Sequence, residues 1–129
     1  MGVRVGHVAV GRSSEREADR FFVELLGLER TRVRDLPEAL SGRFFGRVDP
    51  CRMIDYERDG VRVEVFVPNA PLARSETYGH VCLVVEDRAE LLGRAAGMGV
   101  ERLEVERDGR TIVFLRDADG NLYEIQQAS

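Results

Sequence analysis

The chain contains an internal repeat, and this repeat limits its possible folds more than any other feature of the sequence. Three segments of the first half recur in the same order in the second half. The matched segments are Gly6-His7-Val8 with Gly79-His80-Val81, Gly27-Leu28-Glu29-Arg30 with Gly99-Val100-Glu101-Arg102, and Asp59-Gly60 to Glu64 with Asp119-Gly120 to Glu124. The offset falls from 73 and 72 residues to 60, so the first half holds about a dozen extra residues, which fit the irregular segment 35–50. Such self-similarity indicates two copies of one supersecondary unit.

Each half has the same predicted order of elements, namely a strand, a helix and three further strands. The predicted strands are 3–10, 28–34, 51–58 and 61–67 in the first half, and 78–85, 100–107, 110–116 and 121–127 in the second. An Asp-Gly pair follows three of these strands, and such pairs are typical of tight hairpin turns because glycine tolerates a positive φ. Within the extra segment, residues 37–40 predict a helical turn.

The helix of each half shows a capping residue and an apolar stripe. Ser14 with Glu17, and Asp87 with Glu90, match the pattern in which an N-terminal side chain accepts a backbone N–H three residues later. The positions predicted to face the core are Ala18, Phe21, Phe22, Leu25 and Leu26 in the first helix, and Leu91, Leu92, Ala95 and Ala96 in the second.

This order predicts an α+β fold in which two βαβββ modules form curved mixed sheets around a concave site, with the helices on the outer face. The 129 residues suit a single domain, 1–129, with module one at 1–68, a linker at 69–77 and module two at 78–129. Because the linker is short, we expect the two modules to work together.

The composition excludes several classes of function. All 19 basic residues are Arg, and a chain without Lys has no Schiff-base lysine and no phosphate-loop lysine. A net charge of -4 argues against a nucleic-acid partner, and no apolar run approaches the length needed to cross a membrane. The two cysteines form no metal-type Cys-x-x-Cys pair, and the start of the chain lacks the features of a signal peptide. We therefore expect a cytoplasmic protein.

The chain has two histidines, and both stand at the same position of the repeat. His7 is matched by Glu64 and His80 by Glu124, and each glutamate lies inside an otherwise apolar strand. Alternation along the strand puts Glu64 opposite its valine neighbours, on the open, concave face of the sheet. Imidazole and carboxylate groups together suit Zn, Ni, Mn, Co or Fe(II). We predict that the four residues bind one divalent metal and leave coordination positions open for a substrate.

These motifs resemble those of the vicinal oxygen chelate superfamily and, within it, of glyoxalase I (lactoylglutathione lyase). The resemblance covers essentially the whole chain. The segments that carry it are Gly6-His7-Val8, Phe21-Phe22-x-x-Leu25-Leu26-Gly27, Val63-Glu64-Val65, Tyr78-Gly79-His80-Val81, and Asp117-Ala118-Asp119-Gly120 with Glu124. Ala118 stands where the family usually has Pro, and Phe22 stands where Tyr is common.

The resemblance implies a metal-dependent lyase or isomerase that moves a proton on a small substrate bound through adjacent oxygens. Such a substrate is the hemithioacetal of a 2-oxoaldehyde with a thiol, and glutathione or another thiol would be the cosubstrate. One carboxylate, that of Glu124 or Glu64, would remove the C–H proton and return it at the neighbouring carbon; both glutamates stay candidates. The resemblance also implies a homodimer, with the site formed within one chain or across the interface by exchanged halves.

Three residues are candidates for binding the substrate. Family members that use glutathione have an Arg shortly after the first His and an Asn shortly after the first Glu. Arg12 and Asn69 stand near those places, each slightly displaced, so the identity of the thiol stays open. Phe45, in the segment Phe44-Phe45-Gly46, is predicted to form part of a pocket wall.

Two other functions fit parts of the sequence. The first is an Fe(II) ring-cleaving dioxygenase of the same superfamily, which needs only His7, His80 and Glu124. Such enzymes generally lack a fourth ligand, so Glu64 argues against this function. The second is a metal-free protein that binds a drug or antibiotic, as bleomycin-resistance relatives do. Those relatives typically lack the metal ligands and stack planar ligands on aromatic side chains, whereas this chain has all four ligands and no Trp.

Overall fold

The computed structural model describes residues 2–74 and 78–129, which belong to two compact units, Met1–Ala73 and Arg74–Ser129. The division between the units lies inside the predicted linker 69–77, of which residues 75–77 fall outside the described residues. Each unit contains one four-stranded sheet. The chain therefore has the two-module α+β arrangement that the repeat predicts.

The first unit follows the predicted order and adds one helix. Its elements are β1 (Val8–Gly11), α1 (Glu15–Asp19), a π-helical segment (Arg20–Leu25) that continues α1, β2 (Glu29–Leu36), α2 (Glu38–Phe45), β3 (Cys51–Arg58) and β4 (Val61–Pro68). As predicted, the Ser14 side chain accepts the backbone N–H of Glu17, at 3.2 Å. The extra residues of the first half form α2, which is longer than the predicted turn at 37–40. It ends only at Gly46, which has a left-handed φ of 67°.

The second unit repeats this order without the extra helix. Its elements are β5 (Val81–Val85), α3 (Arg88–Gly97), β6 (Glu101–Arg107), β7 (Arg110–Arg116) and β8 (Leu122–Gln127). Asp87 caps α3 by accepting the backbone N–H of Glu90 at 3.0 Å. None of the helices in the described part of the chain is long and apolar enough to span a membrane.

The two sheets have the same topology. The strand order is β1-β4-β3-β2 in the first and β5-β8-β7-β6 in the second. In each sheet the first strand is parallel to its neighbour and the remaining pairs are antiparallel. Asp59-Gly60 joins β3 to β4 and Asp108-Gly109 joins β6 to β7, and all four residues have positive φ. Two-residue turns of this kind match the twist of the strands that they connect.

One face of each sheet packs against its own helix. In the first unit, Val63 and Val65 of β4 are buried, and the Phe22 ring stacks on Tyr56 of β3 with centroids 5.1 Å apart. The buried residues of the second unit are Leu91, Leu92, Ala95, Val113, Leu115, Tyr123 and Ile125. Each large apolar side chain buried in this way contributes about 1.5–3 kcal/mol. Alternation along the strands puts Glu64 and Glu124 on the opposite face of their sheets.

The first strand of each module is shorter than predicted. β1 begins at Val8 and β5 at Val81, several residues later than expected. Both lie at one end of their sheet, and each pairs with a single neighbour that begins only one or two residues before the first paired position. His7 and His80 therefore immediately precede their strands instead of lying within them.

One predicted core position is also wrong. Ala96 is exposed, although Leu92 and Ala95 of the same helix are buried. Consecutive residues of an α-helix are turned by about 100° around its axis. Ala96 is therefore rotated away from the buried stripe, to the margin of the apolar face.

Candidate metal site

The first His–Glu pair lies on the open face of the first sheet. The parallel register of β1 and β4 places Ala9 beside Glu64, and His7 precedes Ala9 by two residues. The Nε2 atom of His7 lies 3.6 Å from the Oε2 atom of Glu64. The His7 side chain is 43% exposed and that of Glu64 only 9%. The first module thus presents an accessible imidazole beside a nearly buried carboxylate.

The second pair has the same construction. Cys82 of β5 lies beside Glu124 of β8, and the Nε2 atom of His80 lies 3.5 Å from the Oε1 atom of Glu124. The other ring nitrogen of His80, Nδ1, lies 2.9 Å from the carbonyl oxygen of Tyr78. Because a carbonyl oxygen only accepts hydrogen bonds, this contact puts the imidazole proton on Nδ1 and leaves the Nε2 lone pair available to a metal ion.

The spacing within each pair fits two ligands of one metal ion. Imidazole nitrogen and carboxylate oxygen bind Zn²⁺ at about 2.0–2.2 Å, which puts two such donors about 3.4 Å apart at a tetrahedral angle. The observed separations of 3.6 and 3.5 Å are close to this span. They are longer than an N–H···O hydrogen bond, which measures about 2.7–3.2 Å. Each pair is therefore arranged as two donors that face a shared position.

Each unit by itself places two potential metal ligands side by side. Within residues 2–74 and 78–129, no group of three or more His, Cys, Asp or Glu side chains is placed to hold a metal ion. Catalytic zinc sites generally have three protein ligands, so neither pair is complete alone. That His7, Glu64, His80 and Glu124 share one metal stays a prediction.

Charged side chains surround the first pair. Asp55 of β3 is the register partner of Glu64 and is 2% exposed. Its two carboxylate oxygens accept hydrogen bonds from the Nη2 atoms of Arg34, at 2.9 Å, and of Arg62, at 3.2 Å. The same two nitrogens lie 3.5 and 3.6 Å from the Oε2 atom of Glu64. Glu64 thus lies opposite its valine neighbours, as predicted, but it is covered rather than open to solvent.

The second pair has a more apolar environment. Phe114 of β7 is the register partner of Glu124, and its ring lies edge-on to that of His80 with centroids 5.2 Å apart. The side-chain amide of Gln126 donates a hydrogen bond to the Oε2 atom of Glu124 at 2.9 Å. Burial and, to a smaller extent, the Glu124 carboxylate raise the pKa of the Cys82 thiol. Cys82 therefore remains a neutral thiol near pH 7 and adds no charge to this face.

The three predicted substrate-binding residues differ in their surroundings. Phe45, at the end of α2, is 55% exposed, and its ring centroid lies 5.0 Å from that of Phe66. Phe66 follows Glu64 by two residues on β4, so its ring, with that of Phe45 against it, lies on the same face of the sheet as Glu64. Arg12 is 2% exposed and Asn69 is exposed. That these three residues contact a substrate stays a prediction.

Arg34, Asp55 and Arg62, which surround Glu64, are not among the residues predicted from the sequence. Asp55 carries a signal that could have found it, because an acidic residue within the strand segment Met53-Ile54-Asp55-Tyr56 needs a partner once it is buried. The arginines carry no comparable signal, since 19 arginines are spread along the chain.

Solved structures with the same fold include glyoxalases and fosfomycin resistance proteins. The glyoxalase family protein from Enterococcus faecalis is similar with a TM-score of 0.74 at 25% sequence identity, over 95% of each chain. The trypanothione-dependent glyoxalase I of Leishmania major has a TM-score of 0.75 at 20% identity, over 98% of this chain and 87% of its own. A variant of FosX, the fosfomycin resistance protein of Listeria monocytogenes, has a TM-score of 0.73 at 14% identity, over 98% of this chain and 90% of its own. That variant was solved with Mn(II) and 1S,2S-dihydroxypropylphosphonic acid.

By sequence alone, the chain matches no family model and no curated protein. The likeness to known proteins is therefore a likeness of fold.

Proposed function

We propose that this chain, whose fold is that of the vicinal oxygen chelate superfamily, is a divalent-metal-dependent enzyme that moves a proton on a small substrate. The superfamily resemblance seen in the sequence motifs is confirmed by these glyoxalase and fosfomycin resistance neighbours. One observation carries the proposed reaction: each module presents an imidazole nitrogen and a carboxylate oxygen at the spacing of two ligands of one metal ion. Because one fold supports many functions, the four side chains are the stronger support.

The proposed ligands are His7, Glu64, His80 and Glu124. Two neutral imidazoles and two carboxylates balance the charge of a divalent cation, and a donor set without thiolate suits Zn, Ni, Mn, Co or Fe(II). The bound cation would supply Lewis-acid polarisation of a substrate oxygen. One site would take its ligands from both modules, either of one chain or of two chains in a homodimer.

Glu124 is the better candidate for the catalytic base. Its side chain is 23% exposed and accepts a hydrogen bond from the neutral amide of Gln126. Glu64 is 9% exposed, and the guanidinium groups of Arg34 and Arg62 restrain its Oε2 atom. The Glu124 carboxylate would accept the proton from one substrate carbon and return it to the neighbouring carbon, while Glu64 stays in place.

The proposed substrate is a small molecule with two adjacent oxygens, such as the hemithioacetal of a 2-oxoaldehyde and a thiol. Two of the structural neighbours support this class. One is a trypanothione-dependent glyoxalase I, and the other was solved in complex with Mn(II) and a dihydroxypropylphosphonic acid. In this chain, Phe45 and Phe66 would pack against the apolar part of such a molecule.

Metal content and activity together test the proposal. Metal-free protein is reloaded in turn with Zn, Ni, Mn, Co and Fe(II), and it is assayed with the hemithioacetal of methylglyoxal and glutathione. Activity that appears with one metal and disappears on chelation supports the proposal. Glu124→Gln is expected to lower turnover by about 10²–10⁴-fold at saturating metal, as loss of a general base does. Glu86→Gln, an exposed residue before α3, is the matched control. Protein that binds none of these metals contradicts the proposal.

A further inference from the structure

Arg34, Asp55 and Arg62 form a charged trio on the open face of the first sheet. Asp55 is buried and accepts one hydrogen bond from each guanidinium group. The proposed metal site takes His7 and Glu64, which adjoin the trio, as ligands, and the trio itself supplies no ligand. The presence of these three charged residues therefore needs a separate explanation.

The second module shows that the fold does not require this trio. Equivalent positions of the two sheets follow from the strand registers, counted from Glu64 in one sheet and from Glu124 in the other. The equivalent pairs are Arg34 and Val105, Asp55 and Phe114, and Arg62 and Leu122. The same sheet positions thus carry three charged side chains in the first module and three apolar ones in the second.

Stability alone does not explain the trio. A buried ion pair is often no more stabilising than well-packed apolar residues of similar volume. The Nε atoms of Arg34 and Arg62 are also buried and have no hydrogen-bond acceptor within the described residues. A buried donor without an acceptor is destabilising. The trio therefore lowers the stability of the first module in a way that the apolar residues at the same positions of the second module do not.

The charge of the trio suits a bound anion. Two guanidinium groups and one carboxylate leave one excess positive charge, which the Glu64 carboxylate balances. A divalent cation bound to Glu64 would make the net charge of this cluster positive again. The side chains of Arg34 and Arg62 are 28% and 35% exposed, so part of each is accessible to solvent. Guanidinium groups bind carboxylate and phosphonate oxygens through paired N–H donors.

An apolar surface adjoins the trio. Phe66 lies two residues beyond Glu64 on β4, and its register partner on β3 is Met53, two residues before Asp55. Phe45 of α2 packs on Phe66. A ligand held by the arginines would therefore lie with its remaining atoms near aromatic rings and a thioether.

We propose that Arg34 and Arg62, anchored by Asp55, form a subsite for an oxyanion group of the substrate, a carboxylate or a phosphonate. This inference rests on the proposed function, because it places the anionic group beside the proposed metal ligand Glu64. The substrate would present two adjacent oxygens to the metal and an anionic group to the two arginines.

Binding of two small anions tests the subsite. Methylphosphonate and acetate are each titrated by calorimetry into protein with and without added metal, and the metal affinity of every variant is measured separately. Arg34→Gln and Arg62→Gln each retain an amide that can donate to Asp55. Each is expected to weaken anion binding about tenfold, the loss of a charge-assisted contact, while the variant still binds its full complement of metal. Arg110→Gln removes the same charge from the second module and is expected to bind both probes like the wild type.

Each possible outcome either supports or overturns the proposed anion subsite. Methylphosphonate binding alone supports a phosphonate or phosphate subsite, and acetate binding supports a carboxylate subsite, provided that the arginine variants weaken it. Wild-type protein that holds metal but binds neither anion would overturn the subsite, and so would arginine variants that bind the anions as the wild type does. Variants that lose metal together with the anion would show that the arginines only position Glu64, which also overturns the subsite. Wild-type protein that binds the anions but no metal supports the subsite and contradicts the proposed function.

Discussion

The two modules share one backbone plan and differ on their open faces. The helix-facing sides bury the same pattern of positions, with Phe21, Phe22 and Leu25 in the first helix and Leu91, Leu92 and Ala95 in the second. On the open side, the first module surrounds its His–Glu pair with arginines and an aspartate. In the second module, the Phe114 ring lies against His80 of the pair, and the side chains of Val84 and Val105 are exposed. The His–Glu pair is what the two open faces have in common.

This difference separates what folds the chain from what gives each module its chemistry. The buried face determines the sheet and helix, because similar apolar patterns produce the same topology twice. The open face is free to differ, and it differs at Arg34, Asp55 and Arg62. The His–Glu pair is present on both open faces, as expected if both copies bind the proposed metal ion.

The largest stability difference is expected in the helix cores. Phe22 is fully buried and stacks on Tyr56, so Phe22→Ala should lower the free energy of unfolding by about 3–5 kcal/mol. The matched change in the second module, Leu92→Ala, removes a smaller side chain and should lower it by about 2–3 kcal/mol. Urea unfolding followed by circular dichroism measures both. A larger loss for Leu92→Ala would contradict the view that aromatic packing dominates the first core.

The next difference lies on the open faces. Asp55→Ala leaves two guanidinium groups without their shared carboxylate, so it should lower the free energy of unfolding by about 3 kcal/mol. This value is at the low end for a broken buried ion pair because the arginine side chains are partly exposed. Phe114→Ala, at the equivalent position, removes a half-buried ring and should cost about 1–2 kcal/mol. The same unfolding measurement applies. Asp55→Ala with unchanged stability would show that the trio is not anchored as described.

A smaller effect is expected at the buried tyrosine of the first module. The Tyr56 hydroxyl donates to Asp19 at 2.6 Å, and burial, followed by this hydrogen bond, raises the pKa of Tyr56 above its usual 10.0. The folded chain thus keeps the neutral phenol, whereas the unfolded chain loses the proton near pH 10. The contribution of Tyr56 is therefore complete below pH 10 and is lost as the pH rises above it.

Tyr56→Phe tests this contribution. It should cost about 1–2 kcal/mol at pH 8, as loss of a hydrogen bond to a charged group does, and its stability should decline less steeply than that of the wild type between about pH 10 and 11. Tyr123→Phe, which removes a 2.9 Å hydrogen bond to Asp117, is the matched change in the second module. Identical pH dependence of the Tyr56→Phe variant and the wild type would contradict the assignment.

The smallest effects are expected at the helix caps. Ser14→Ala and Asp87→Ala each remove one hydrogen bond to a backbone N–H, at 3.2 and 3.0 Å, and each should cost about 1 kcal/mol. The loss at Asp87 should be the larger, because its negative charge also interacts with the helix dipole. Thermal unfolding at low ionic strength compares them. A larger loss at Ser14 would indicate that the charge at Asp87 adds nothing.

Much of the fold follows from the sequence because its signals are local. The Asp-Gly turns, the caps at Ser14 and Asp87, and most of the buried helix positions depend on residues close together in the chain, and the repeat shows such local signals twice in the same order. The lengths of β1 and β5 depend instead on where the neighbouring strands β4 and β8 begin. The alternation of apolar and polar residues within β1 and β5 does not show this. The prediction that Ala96 faces the core is wrong because the apolar pattern of a helix does not show where its buried face ends.

The candidate site also has a part that could be predicted from the sequence and a part that could not. The pairing of His7 with Glu64 and of His80 with Glu124 could be predicted, because equivalent positions of a repeat have equivalent neighbours. The trio around Glu64 could not be predicted, because the register of β2, β3 and β4 brings together residues from three separate segments. The sequence contains no second copy of these contacts that would have revealed them.

The metal content of His7→Ala and of His80→Ala tests the central claim most directly. If the two His–Glu pairs serve one site, the wild type binds about one metal ion per chain, and each substitution removes it. Cys82→Ser, which changes a neighbour of Glu124 that is not a proposed ligand, should keep the metal. Inductively coupled plasma mass spectrometry on protein purified without chelator gives the ratio. Loss of metal in both histidine variants, with an unchanged fold by circular dichroism, is the predicted result. Two metal ions per wild-type chain, or one histidine variant that keeps its full complement, would contradict it.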